Sequence, residues 1–245
     1  MRRLFITGFG KFGRQAVDEL RQENHLNQVV ADFIDLAAGK SIGKDAVWII
    51  LGSLAEVSAM GEDSSIMHAF RFASAKGILM AVSLADGSQE KNLQAYDRLS
   101  IMGVHMLVLF TAKRLLNPIK EIAGMLNELF ASKWIDGIIR IDLTDVQELL
   151  LTSECLYFGE SGSVERVKDY CQAVCLACAA AFPEQKIAEP VHAIVLLEGF
   201  GSPTAITSIS QGIERIGDYC DNYSVTLSVC ESDIESYHAA IFAGV

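Results

Sequence analysis

A glycine-rich turn between an apolar strand and an amphipathic helix limits what this chain can fold into more than any other part of its sequence. The apolar run Leu4–Thr7 leads into GFGKFG (residues 8–13), and Gly13–Arg21 has the spacing of an amphipathic helix. Glycines let the backbone approach a ligand closely, and a helix N-terminus offers unpaired N–H groups and a positive dipole end. The pattern therefore predicts an α/β fold that holds an anionic ligand at this turn.

The identity of that ligand stays open at this point. The G-x-G-x-x-G spacing, with Asp32 and Asp35 about 20 residues further on, is typical of NAD(P)-binding Rossmann-type oxidoreductases. Lys11 adds a cationic donor for a phosphate. The same glycines also suit a tight strand-to-helix turn with no ligand, which is the expectation for a pure interaction module.

Strands and helices alternate through the first half of the chain. Further strands are predicted at Val29–Leu36, Asp45–Leu51, Ile78–Leu84 and Val104–Phe110, and helices at Ser64–Ala75 and Gln89–Ile101. Because this alternation builds parallel sheets, we predict a doubly wound, mostly parallel sheet.

The pattern changes after residue 117. A long helix is predicted at Pro118–Lys133, followed by a short segment at Ile138–Asp145 and a loop at residues 160–163. Further helices are predicted at Asp145–Leu151, Val164–Ala181 and Thr204–Tyr219. Strands are predicted at Val191–Gly199, Ser224–Cys230 and His238–Ala243. We therefore expect a nucleotide-binding-like domain at 1–117, a central helix and connection at 118–137, and a smaller α+β domain at 138–245.

Composition excludes several classes of partner. The net charge of −11 argues against binding to nucleic acids or to anionic membrane surfaces. No apolar stretch is long enough for a membrane span and none has the form of a signal peptide, so we expect a cytoplasmic protein without membrane insertion.

Three of the six cysteines have the C-x₃-C-x₂-C spacing of an iron–sulfur motif, namely Cys171, Cys175 and Cys178. They fall in a predicted helix rich in alanine, where offsets of four and seven residues place all three on one face. Small buried residues belong on such a face, so we favour a core role over a metal cluster.

Two acids stand three residues apart at the start of a predicted helix, in the run IIRIDLTDV (residues 138–146). An acid at a helix start accepts backbone N–H bonds, and this capping role alone explains Asp145 and also suits Asp142. The run also resembles the N-x-D-x-x-D-V loop of the tubulin/FtsZ family, with Arg140 in place of the Asn. In that family the two acids reach the nucleotide of the next subunit and polarise the attacking water, so the resemblance implies a catalytic role for Asp142 and Asp145.

The resemblance continues in the same order along the chain. YFGESG (residues 157–162) is similar to the family's Met-Gly-x-G stretch, AIVLLEG (193–199) to its strand ending in Gly-Gly, and DAVWIILG (45–52) to the strand before its signature loop. The nucleotide-binding residues that the resemblance implies are Gly8, Gly10, Lys11, Gly13, Gln15 and Gly52, with Gln15 at the position of the family's Asn.

The sequence departs from the family where the family holds phosphates. The signature G-G-G-T-G-T-G corresponds to residues 52–65 here, and only Gly52 and Gly61 are retained. Glu56 brings a negative charge towards a triphosphate, which costs about 4 kcal/mol at roughly 4 Å and an effective dielectric near 20, unless Mg²⁺ offsets it. The guanine-reading Asn-Asp is replaced by Thr111 and Ala112, and nothing corresponds to the adaptor-recruiting tail of bacterial members.

We therefore predict a divergent FtsZ-like cytoskeletal protein with a tubulin/FtsZ-like α/β fold. It self-associates head to tail as a homo-oligomer or filament, with the Asp142/Asp145 loop of one copy against Gly8–Gly13 of the next. GTP or GDP with Mg²⁺ is the ligand that the resemblance implies, but we expect binding and hydrolysis to be weak or lost, and no cofactor is the alternative.

Overall fold

The strands of the chain fall into two groups that belong to two compact units, residues 1–109 with 114–130 and residues 110–113 with 131–245. The computed structural model describes residues 4–22, 26, 29, 31–35, 47–59, 77–82, 105–110, 118–131, 134, 137–162, 167–182, 186–199, 205–232 and 236–245. The helices predicted at Ser64–Ala75 and Gln89–Ile101 lie outside these residues.

The first unit contains a parallel sheet in the order β2-β1-β3-β4-β5. Its strands are β1 (Leu4–Gly8), β2 (Ala31–Phe33), β3 (Val47–Ser53), β4 (Gly77–Val82) and β5 (His105–Phe110). Every residue of β3 is buried, as expected for a central parallel strand covered on both faces. The parallel sheet predicted from sequence is confirmed.

Three helices of this unit are described, namely α1 (Gly10–Gln22), α2 (Leu54–Ser58) and α3 (Pro118–Phe130). α1 buries Ala16, Val17 and Leu20, the apolar face predicted from their spacing, and it packs on β1 and β3. It starts at Gly10 and not at Gly13, so most of the predicted glycine loop is the first turn of the helix. α3 ends at Phe130, three residues before the predicted end.

The second unit contains a mixed sheet in the order β6-β9-β7-β8. Its strands are β6 (Cys155–Glu160), β7 (Val191–Gly199), β8 (Tyr223–Glu231) and β9 (His238–Gly244). β7 and β8 are parallel, while β9 runs antiparallel to both β6 and β7. The predicted bounds of β7 are confirmed, while β8 extends one residue beyond its prediction at each end and β9 one residue beyond it at its C-terminal end.

β6 is a strand that the sequence pattern missed. It has only six residues, and its burial alternates just over the first four, so its pattern is too short to stand out. Phe158 pairs with Phe242 of β9, and their rings stack with centroids 5.0 Å apart. Pairing with a strand more than eighty residues away, rather than local propensity, therefore forms β6.

The helices of the second unit are α4 (Leu143–Thr152), α5 (Tyr170–Ala181) and α6 (Ala205–Glu214), which continues as a 3₁₀ turn (Arg215–Asp218). α4 begins two residues before the predicted Asp145, and α5 begins six residues after the predicted Val164. In the short segment predicted at Ile138–Asp145, Ile139 forms an antiparallel bridge with Val229. In the described part of the chain, no helix is both long enough and apolar enough to cross a membrane.

We predict that Gly159→Ala destabilises the protein by about 1–3 kcal/mol, because the new methyl group would overlap the α5 backbone at Ala177 and Ala181. Urea unfolding measures this change. Gly124→Ala is the matched control, since a methyl group there meets nothing within 4 Å and a helical alanine should stabilise by about 0.5–1 kcal/mol. Equal effects of the two substitutions would contradict the packing of α5 on β6.

Candidate functional site

The glycine turn, residues 8–13, is built by close backbone contacts between β1, the start of α1 and β3. The N–H of Phe9 donates to the carbonyl of Leu51 at 2.8 Å, and the N–H of Gly13 donates to the carbonyl of Phe9 at 3.1 Å. A side chain on Gly8 would overlap the Gly13 carbonyl, and one on Gly13 would overlap the Leu51 carbonyl. These two glycines are therefore required by packing, whether or not a ligand binds.

Gly10 has a different role in the same turn. Its φ is +68°, in the left-handed region that favours glycine. A Cβ at Gly10 would lie 2.6 Å from Oε1 of Glu56, so the missing side chain makes room for that carboxylate. The space that a bare backbone would offer to a phosphate is here occupied by a side chain of the same protein.

The Glu56 carboxylate binds the N-terminus of α1 through one oxygen and its own helix cap through the other. Oε1 accepts the backbone N–H of Lys11 at 2.6 Å and that of Phe12 at 3.2 Å. Oε2 accepts the hydroxyl of Ser53 at 2.9 Å and the backbone N–H of Ser53 at 3.4 Å. One carboxylate therefore joins the end of β3 to the start of α1.

This arrangement is that of an anion held at a helix N-terminus, where the N–H donors and the dipole both favour negative charge. Burial raises the pKa of Glu56, but the hydrogen bonds from Ser53, Phe12 and Lys11 outweigh burial and lower it overall. Glu56 is therefore ionised at neutral pH and neutralises part of the positive end of α1.

Sequence reasoning placed Glu56 near a phosphate site but missed its partners. The Ser53 side chain accepts the N–H of Glu56 at 3.3 Å while the Glu56 side chain reaches back to Ser53, which makes a capping box. The S-x-x-E pattern of Ser53–Glu56 is the sequence signal for that motif, and it predicts the start of α2. It does not by itself predict that the same carboxylate also binds α1.

Lys11, Gln15 and Gly52 are the remaining predicted binding residues, and they differ in exposure and in hydrogen bonding. The side chain of Lys11 is exposed, while Gln15 donates to Glu19 of its own helix at 2.8 Å. Gly52 is buried, and a Cβ there would lie 3.3 Å from Val57 and 3.5 Å from Phe9. Gly8, Gly10, Gly13 and Gly52 therefore lie together with Glu56, whereas the Gln15 side chain is bound along the helix.

Asp142 and Asp145, the two predicted catalytic acids, form a second capping box at the start of α4. Asp142 is the N-cap, and its Oδ1 accepts the N–H of Thr144 at 2.5 Å and that of Asp145 at 3.1 Å. Asp145 Oδ2 accepts the N–H of Asp142 at 2.7 Å. The capping interpretation is therefore confirmed for both acids, and a further catalytic role stays a prediction.

The segment that contains both acids, which we call the paired-acid loop (residues 138–145, ending in the first turn of α4), is tied to β8 at its start. The backbone of Ile138 and Ile139 bonds to Val229, and the buried hydroxyl of Ser228 donates to the carbonyl of Ile139 at 2.8 Å. Arg140, at the position of the family's Asn, is exposed and donates to the carbonyl of Gly137 at 3.1 Å. The side chain of Ile138 is 65% exposed.

The cysteine motif lies in α5, as the helical periodicity predicted. Cys178 is fully buried, whereas Cys171 and Cys175 are half-buried. Among the described residues, no group of three or more histidine, cysteine or acidic side chains is arranged to hold a metal ion.

Comparisons with known proteins extend this description to the fold as a whole. No protein-family model and no curated protein sequence matches the chain. A GTPγS-form protofilament of TubZ from Bacillus thuringiensis serovar israelensis aligns with a TM-score of 0.66 at 10% identity, over 99% of this chain and 86% of that one. A GTPγS-bound protofilament of CetZ2 from Haloferax volcanii gives a TM-score of 0.61 at 13% identity, over 100% and 92%.

An FtsZ dimer from M. jannaschii, described as empty, also matches, with a TM-score of 0.58 at 11% identity over 100% of this chain and 88% of that one. The chain therefore has the fold of these FtsZ, CetZ2 and TubZ structures. It is a divergent version of this FtsZ/tubulin-like fold. The alignments cover 88%, 92% and 86% of the FtsZ, CetZ2 and TubZ chains. The fold class predicted from the sequence is confirmed.

We predict that Glu56→Gln destabilises the protein at neutral pH and that this difference shrinks as the pH falls. A carboxylate with a lowered pKa stabilises the fold above its unfolded value, near 4.5, and that contribution is lost as the pH drops through the folded value. Urea unfolding of both proteins across that pH range measures it. Asp18→Asn, an exposed acid of α1, is the control for charge removal, and a pH-independent Glu56→Gln effect would contradict the ionic contact.

Proposed function

We propose that this protein is a tubulin-fold cytoskeletal element that self-associates head to tail and has weak or lost GTP binding and hydrolysis. The observation that carries the proposal is the Glu56 carboxylate, bound to the N–H groups of Lys11 and Phe12 at the start of α1. In this proposal Glu56 takes the place of a nucleotide phosphate.

Two physical arguments make a nucleotide a poor competitor at this turn. A phosphate that enters while Glu56 stays adds like charges about 4 Å apart, which costs about 4 kcal/mol at an effective dielectric near 20. That energy corresponds to a loss of affinity of roughly a thousandfold. A phosphate that displaces Glu56 must instead break its contacts with α1 and disturb the capping box of α2.

The charges of the two predicted contact surfaces support self-association. Lys11 and Arg14 are exposed at the start of α1. The paired-acid loop carries two carboxylates, Asp142 and Asp145, and one exposed cation, Arg140, so its net charge is negative. A head-to-tail contact would set these opposite charges together, and the exposed Ile138 would add apolar area. The FtsZ, CetZ2 and TubZ structures with this fold are described as a dimer and as protofilaments.

The roles of Asp142 and Asp145 follow from this arrangement. Their carboxylates cap α4 within one copy and, in the proposal, meet the glycine turn of the next. The water-polarising role that the family resemblance implies requires a nucleotide at that contact, so we propose that both acids act here mainly as contact residues. The NAD(P)-binding alternative accounts for the glycine turn alone, while the structural similarity covers the whole chain.

We predict that GTP with Mg²⁺ leaves the melting temperature of the wild-type protein unchanged, because only a ligand that binds the folded state shifts it. Glu56→Ala, which vacates the N–H groups of α1, should gain a GTP-dependent increase. Differential scanning fluorimetry with GTP, NADH and buffer alone measures both. Glu19→Ala on α1 removes the same charge away from the turn and is the control. A clear increase in the melting temperature of the wild type with GTP would contradict the proposal.

We predict that Asp142→Asn weakens self-association in sedimentation velocity without nucleotide, while the free energy of unfolding stays nearly constant. Asparagine and aspartate cap helices about equally well, so this change removes the charge and keeps the cap. Asp169→Asn is the matched control, since Asp169 caps α5 by accepting the N–H of Gln172 at 2.8 Å.

The opposite side of the contact gives an independent check. Lys11→Glu with Arg14→Glu should also abolish self-association, whereas Lys168→Glu, an exposed site in the second unit, should not. A wild-type protein that remains monomeric at high concentration would refute head-to-tail assembly.

A further inference from the structure

The seam between α5 and α6 carries two thiols that the proposed assembly does not use. Cys171 and Cys175 lie one helical turn apart on α5, and both are half-buried. The N–H of Cys171 donates to the hydroxyl of Ser208 on α6 at 3.0 Å. A Cβ on Gly212 of α6 would lie 3.3 Å from the Cα of Cys171, so α6 packs directly against this turn.

The helical spacing keeps the two thiols close without letting them form a disulfide. Residues four apart on a helix have Cβ atoms about 5–6 Å apart. A disulfide requires Cβ atoms about 3.5–4.5 Å apart, so it could not close without unwinding the turn. Burial and then the neighbouring Cys171 thiol raise the pKa of Cys175.

The number of sulfur ligands decides which ion such a pair can hold. Soft thiolates select Cu(I), zinc and iron–sulfur clusters, but structural zinc takes four ligands and the clusters take three or four thiolates. The described residues offer no group of three or more metal-ligating side chains. Of these ions, Cu(I) is the one that is stable with two thiolate ligands.

We propose that Cys171 and Cys175 form a two-thiolate site for Cu(I) at the α5–α6 seam. Each thiol gives up its proton to solvent and forms one Cu–S bond, so two protons leave and copper keeps its oxidation state. The complex carries one negative charge. Arg215 favours the ionised form of Cys175, while Asp218, which forms an ion pair with Arg215 at 3.5 Å, opposes it.

The site is tested on the full-length protein under anaerobic conditions, with Cu(I) supplied as a complex of a chromophoric chelator. We expect one Cu(I) per chain to transfer to the protein. Cys171→Ser and Cys175→Ser should each weaken binding by more than about tenfold, since each removes one of two ligands. Cys155→Ser, another half-buried cysteine, is the control and should bind as the wild type does.

A second readout uses the wild-type protein alone, so it does not depend on a variant that folds. Cu(I) should protect Cys171 and Cys175 from alkylation by iodoacetamide, as peptide mass spectrometry measures, and leave the extent of alkylation at Cys155 unchanged. Unchanged alkylation, equal losses in all three variants, or equal protection by Zn(II) would overturn the proposal.

Discussion

The contact between the Glu56 carboxylate and the first N–H groups of α1 is the interaction on which the candidate site depends. It ties the end of β3 to the helix that follows β1, and it satisfies donors that a helix start otherwise leaves without partners. The glycines around it follow from this contact and from backbone crowding, since Gly10 makes room for the carboxylate and Gly13 for the Leu51 carbonyl.

A second capping box lies in the paired-acid loop. Asp142 and Asp145 exchange side-chain and backbone hydrogen bonds at the start of α4 as Ser53 and Glu56 do at α2. In both places a carboxylate near a predicted nucleotide contact caps its own helix. The presence of acids at these positions is therefore weak evidence for catalysis, because helix capping alone accounts for it.

Features that depend on residues close together in the sequence were predicted, whereas contacts between residues far apart in the chain were missed. The parallel sheet, β7 and the buried face of α1 follow from local periodicity, and the capping roles of Asp142 and Asp145 follow from their position at the start of a helix. β6 was missed because Phe158 needs Phe242 to make it a strand. The link from Glu56 to Lys11 was missed for the same reason, since 45 residues separate its two ends and no local pattern encodes it.

The occupied glycine turn has a consequence for the cell under the proposed function. A tubulin-like protein that needs nucleotide to complete its fold or its contacts senses the supply of nucleotide. Under the proposed function, a chain that completes the turn with its own Glu56 would have no such input, and its folded state would not depend on the supply of nucleotide. Its assembly would then depend on its concentration in the cell. The rate of its synthesis, rather than nucleotide hydrolysis, would set how much polymer forms.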